Sequence, residues 1–162
     1  MKTKIFFTAV YLLLVTFAYA QNNKTEKAKV QAVQVEKSIQ SGKYEIKANQ
    51  ANPMSGRVWH LTSDYSVRIS GDSTYVYLPY FGRAYSAPYN GEGGIKIENL
   101  MDSYKVDSKK EKEFSINFNA KGTNDTYLFS IKVWTNGNAS INVTCNNRQA
   151  ISYFGKLKMP DE

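Results

Sequence analysis

The residues with the most evident capacity for chemistry lie in one segment, residues 75–94. It carries six aromatic rings, Tyr75, Tyr77, Tyr80, Phe81, Tyr85 and Tyr89, with Arg83 among them. Tyrosine offers a large contact area with few rotors, and tyrosine and arginine dominate binding hot spots. The segment therefore reads as a recognition surface in which rigid rings surround one cation. The competing reading is a long connection pinned down by its own aromatics, with Arg83 stacked on a ring or bound to carbonyls. Pro79 and Pro88 bracket the loop, and Gly82, Gly91, Gly93 and Gly94 supply its turns. These glycines do not form a phosphate loop, because no Gly-Lys-Ser/Thr end and no strand-to-helix context follows them.

Other chemistries find little material. His60 is the single imidazole, so any Ser-His-Asp or Cys-His nucleophile system would depend on it alone. Its setting between Arg57 and Thr62 is strand-like. With one His and one Cys, a multi-His or multi-Cys metal site is excluded. No calcium-loop pattern occurs. Cys145 continues the alternation Ala139, Ile141, Val143 and reads as a core thiol. The carboxylates sit mostly beside lysines, as in Lys109–Glu113, a solvated turn rather than a facing acid/base pair. No cofactor motif is present. Asn-x-Ser/Thr occurs at Asn23, Asn124, Asn138 and Asn142, which would mark surface only in a glycosylating host.

The elements that position these residues follow from period. Residues 1–20 open on Lys2 and Lys4, run apolar from Ile5 to Phe17 and end Ala18-Tyr19-Ala20, the pattern of a secretory signal peptide cleaved before Gln21. The apolar run is too short for a membrane-spanning helix, which needs about 20 residues. The expected address is the periplasm or the exterior, and no later segment approaches transmembrane length. Residues 21–42 read as one helix, capped by Thr25 and stopped at Gly42. Its better apolar stripe is Ala28, Ala32, Val35 and Ile39, which buries little area because two members are alanine.

From residue 43 to 162 the period becomes two. Strands are expected at 43–48, 57–61, 65–69, 74–78, 95–98, 103–106, 114–118, 127–133, 139–145 and 150–154. A two-residue turn at Gly71-Asp72 would pair Ile69 with Thr74, Val67 with Val76 and Tyr65 with Leu78. A three-residue turn through Gly137 would pair Val133 with Ala139 and Ile131 with Ile141. Nine or ten short strands joined by hairpins, with no helices for parallel crossovers, predict an all-β fold. An antiparallel barrel that hides its edges is favoured, and a β-sandwich is the runner-up.

The run Leu78–Tyr85, with Pro53–Arg57 before it, Glu92–Ile95 after it and Ile151–Gly155 near the end, resembles the domain-of-unknown-function 4251 family of small exported proteins from Gram-negative bacteria. The resemblance covers roughly residues 25–157. It implies a signal peptide, a helix and a lipocalin-like antiparallel barrel, and it implies no activity.

The net charge of +7 is spread along the chain with interleaved acids, which is not the stripe of a nucleic-acid protein. The expected function is that of an exported, non-enzymatic binding module. It would use the aromatic loop or the barrel mouth for a hydrophobic small molecule or an envelope protein. A filled barrel acting as a structural envelope protein is the alternative, and a hydrolase of envelope polymers is a further one.

Overall fold

The computed structural model describes residues 26–85, 93–110, 112–123 and 125–159. The expected signal peptide (1–20), the expected Thr25 cap and Tyr89 lie outside the described residues. One helix, α1 (26–40), precedes eight strands. These are β1 (Lys43–Pro53), β2 (Trp59–Ser70), β3 (Ser73–Leu78), β4 (Ile95–Lys110), β5 (Glu113–Lys121), β6 (Thr126–Trp134), β7 (Asn138–Thr144) and β8 (Ile151–Leu157). Each pairs antiparallel with the next, and β8 pairs with β1, so the sheet closes into a barrel.

Closure settles the choice between barrel and sandwich. The strand count is corrected from nine or ten to eight, because two pairs of expected strands are continuous. Residues 59–61 of the first expected strand and 65–69 of the next belong to β2, with Arg57 and Val58 left in the connection before it, and 95–98 and 103–106 belong to β4. The cause is bulging. In β2, residues 61–64 swing out opposite Asn49, since Ala48 pairs with Tyr65 but Gln50 pairs with His60. In β4, the register shifts between Asp102 and Lys105, where Ser103 takes a φ of 57°. Bulges interrupt the alternation that marks a single strand. The strand also changes partners, pairing with β3 up to Leu100 and with β5 from Met101.

Both expected hairpin registers form. Ile69 pairs with Thr74 and Val67 with Val76. That ladder ends at Ser66–Tyr77, so the expected Tyr65–Leu78 pair is absent from it. Val133 pairs with Ala139 and Ile131 with Ile141, with Gly137 at φ 77° as the bulged turn requires.

The interior is built in rows across β5–β8. Ile116, Ile131, Ile141 and Tyr153 stand side by side through direct pairing, and each is fully buried. Phe118 and Phe129 stack next to them at 4.8 Å and 12°. A further row shrinks from Phe114 and Val133 to Ala139, Gly155 and Ala48 as β8 approaches β1. Gly155 is required there: a Cβ would run into the Lys47 carbonyl oxygen and lie 3.0 Å from Ala48 Cα. An open ligand chamber would leave its lining side chains accessible to water. Ile46, Val67, Leu78, Ile116, Phe129, Ile131, Ile141 and Tyr153, drawn from seven of the eight strands, have no accessible surface. The centre of the barrel is filled by side chains.

The antiparallel meander puts the β2–β3, β4–β5 and β6–β7 turns at one end and the other four connections at the opposite end, the mouth. Helix α1 closes the first end. Val35 and Ile39 are buried in the barrel core, while Ala28 is exposed and Ala32 only half-buried. Gln31 Nε2 donates to the Asn136 carbonyl at 3.0 Å, which ties the helix to the β6–β7 turn. Of the expected stripe, the two β-branched members carry the docking.

Candidate functional site

Beyond Leu78 the chain turns across the mouth and pairs with the β7–β8 connection. Gln149 N donates to the Arg83 carbonyl at 3.0 Å, and Tyr85 N donates to the Asn147 carbonyl at 2.8 Å. Ala84 and Arg148 form an isolated antiparallel bridge between these contacts. Below them, Tyr153 Oη donates to the Pro79 carbonyl at 2.6 Å. The Tyr80 hydroxyl stands 2.9 Å from both the Arg83 and the Gln149 carbonyls. The Arg148 guanidinium lies 5.0 Å over the Tyr80 ring, and its Nη1 donates to the Gly94 carbonyl at 3.3 Å. Burial pushes the Tyr80 and Tyr153 phenols up, so both stay protonated donors. Residues 79–85 are thus a strap held over the barrel end.

The strap leaves part of its aromatic surface in water. Phe81 stacks on Trp59 at 4.8 Å and 7°, and the Arg57 guanidinium covers the Trp59 ring at 4.3 Å. The result is a cation–indole–phenyl ladder on the rim, with Phe81 37% exposed. Tyr85 is 65% exposed, and Met54 and Val58, from the β1–β2 connection at the same end, are also exposed.

The expected site residues divide into groups. Tyr80, Phe81, Arg83 and Tyr85 sit on the strap. Arg83 contributes its backbone, and its side chain is exposed. Tyr75 and Tyr77 lie on the outer wall of β3, facing out of the barrel and not on the strap. There the Arg68 guanidinium lies 5.4 Å over Tyr75, and Tyr77 packs against Tyr65 at 5.1 Å. Tyr89 falls outside the described residues. Sequence reasoning missed Arg57, Trp59 and Arg148, which supply the ring contacts once assigned to Arg83. Arg57 ends the connection before β2 and Trp59 opens that strand, and their i, i+2 spacing in the expected strand 57–61 was the available signal.

Other groups are placed without reactive company. His60 is exposed on β2. Cys145 is half-buried, and burial together with its hydrogen bond to the Asp125 carboxylate pushes the thiol up. Burial works to raise the Asp125 carboxyl, but donors from Asn147, Cys145 and Thr126 outweigh it and hold it low. Glu113 pairs with Lys132 at 3.1 Å. Among the described residues, no cluster of His, Cys, Asp or Glu is placed to hold a metal ion, and no helix is long and apolar enough to cross a membrane.

Fold and surface together define a closed eight-stranded meander barrel with a packed interior, one helix-capped end and one strapped end. The chain belongs to the domain of unknown function family DUF4251, which it matches over residues 26–157. Its fold is similar to the crystal structure of a DUF4251 family protein from Bacteroides eggerthii, with a TM-score of 0.65 at 19% identity. That likeness covers 80% of this chain and 88% of the other. No curated protein matches the chain.

Proposed function

We propose that this protein is an exported, non-enzymatic binding module that captures a partner protein on the rim of its strapped mouth. The observation that carries the reading is the Arg57–Trp59–Phe81 ladder, an ordered arginine and aromatic stack left partly exposed beside Met54, Val58 and Tyr85. Large apolar side chains gathered at one end of a small protein mark an interaction surface. Stacked arginine and tryptophan are the residue types that dominate such surfaces. The packed interior favours a ligand held on the outside over a hydrophobic small molecule carried within.

The reading is tested by replacing Phe81 and Arg83 with Ala and measuring capture of envelope proteins beside thermal unfolding. The expected result is loss of capture with a nearly unchanged Tm, because both side chains are exposed. Intact capture with a large fall in Tm would make the strap a structural brace and sink the proposal.

A further inference from the structure

We infer that the outer wall of β2–β4 and the crevice beneath the end of α1 form one binding track for an acidic polysaccharide of uronate type. Two depressions share a residue. A crevice of about 560 Å³, where α1 meets β1 and β2, is lined by Lys37, Lys43, Arg68 and Lys158, with Glu45 as its one carboxylate. A groove of about 380 Å³ on the outer wall is lined by Arg68, Tyr75, Tyr77, Lys96 and Glu98. Arg68 belongs to both. The track therefore gathers five cations against two carboxylates, where the sequence alone shows only a diffuse excess. Lys158 and Glu45 stand 3.8 Å apart, so one of those carboxylates is already partnered within the crevice.

The cations are held on rings. The Arg68 guanidinium lies 5.4 Å over Tyr75, and the Lys96 ammonium lies 6.0 Å over Tyr77. The Arg68 guanidinium, stacked on the face of Tyr75, presents its N–H edge to a carboxylate. From the Ser70–Ser73 pair to the Ser66–Tyr77 pair, the wall runs about 13 Å at the rise of a β-strand. That length suits a chain rather than a single ion.

The closed barrel selects the kind of chain. Every strand is hydrogen-bonded on both sides, so an extended peptide finds no free edge on which to pair its backbone. The wall offers side chains only: serine and tyrosine hydroxyls, flat rings, two cations and the Glu98 carboxylate. These complement the hydroxyls, C–H faces and carboxylates of an acidic sugar chain.

The purified protein is tested with sodium polygalacturonate, neutral dextran, poly-glutamate and phosphatidylglycerol vesicles by titration calorimetry and cosedimentation. Polygalacturonate should bind, and dextran should not. Replacing Tyr75 and Tyr77 with Ala should weaken polygalacturonate roughly tenfold, with the fold checked by circular dichroism. Replacing Lys43 and Lys158 with Ala should weaken it and flatten its salt dependence. Phe81→Ala should leave it unchanged, which separates this track from the mouth surface. Equal binding of poly-glutamate with no effect of the tyrosine changes would reduce the track to an unspecific basic patch and overturn the inference. Binding to vesicles alone, or to none of the probes, would also overturn it.

Discussion

The two halves of this barrel solve different problems. In β5–β8 the ladders run without interruption, and inward residues meet in direct pairs such as Ile131–Ile141 and Ile141–Tyr153. In β1–β4 the registers break at Asn49 and again at Asp102–Lys105, and outward positions carry rings. Among the described residues, the large exposed hydrophobics of the barrel lie mostly between Met54 and Val106, with only Leu128 and Phe154 in the second half. The difference teaches a division of labour. Both halves send alternate residues into the core, but the half whose β1–β2 and β4–β5 ladders shift register carries most of the large apolar side chains left on the surface.

The division is broken most directly at Gly155. A Cβ there would run into the Lys47 carbonyl oxygen, which is backbone and cannot rotate away. Gly155→Ala should cost about 3 kcal/mol in urea unfolding, at the upper end for overpacking. Gly93→Ala, where a Cβ meets open space, should cost far less. Equal costs would mean that the β8–β1 seam is not closely packed.

Ile131 and Tyr77 make the sharpest contrast between the halves. Ile131→Ala removes a fully buried side chain from the central row and should cost about 3 kcal/mol. Tyr77→Ala removes a half-exposed ring held by Tyr65 and should cost about 1 kcal/mol or less. If the tyrosine proved the costlier change, the wall of β3 would be a structural element and not a spare surface.

The same division explains what could be read from sequence. The β6–β7 hairpin was legible to the residue, because clean alternation on both sides left only the three-residue turn through Gly137 consistent with apolar faces. The fold class was legible for the same reason. The unity of β2 and β4 was not, since bulges at 61–64 and 102–105 shift the period within a single strand. At the candidate site, the strap's aromatics were visible as a cluster. Their partners were not: Arg148 and Gln149 lie far along the chain and meet Tyr80 only when the barrel closes. Pairing across a closed sheet is long-range information that local spacing does not hold.

Helix α1 tests whether the closed end belongs with the core half. Ile39 is buried in the core, and Val30 and Val33 are exposed on the same helix. Ile39→Ala should cost about 2 kcal/mol and Val33→Ala almost nothing, read as shifts in the urea midpoint. Equal effects would place the helix on the surface instead of in the barrel end.

The smallest effect concerns Asp125, which joins two connections at the mouth. Its Oδ1 accepts from Thr126 N at 2.9 Å and its Oδ2 from Asn147 N at 3.0 Å. These donors favour the ionised form, so the folded carboxyl titrates below the unfolded one. The stability it lends is present above the ordinary aspartate value near 3.9 and is lost as pH falls through the lowered folded value. Asp125→Asn should therefore flatten the acid limb of stability below about pH 4, with little change at pH 7 beyond the weakened loop contacts. The same variant should act on Cys145. Burial and the Asp125 carboxylate both hold that thiol in its neutral form, so it should alkylate more slowly with iodoacetamide than free cysteine at pH 8.5. Removing the carboxylate takes away one of the two causes, which lowers the thiol pKa and raises the thiolate fraction. Alkylation should then speed up in Asp125→Asn, while the acid limb loses its slope. A variant that changes one of these and not the other would show that the two mouth connections are not joined through Asp125.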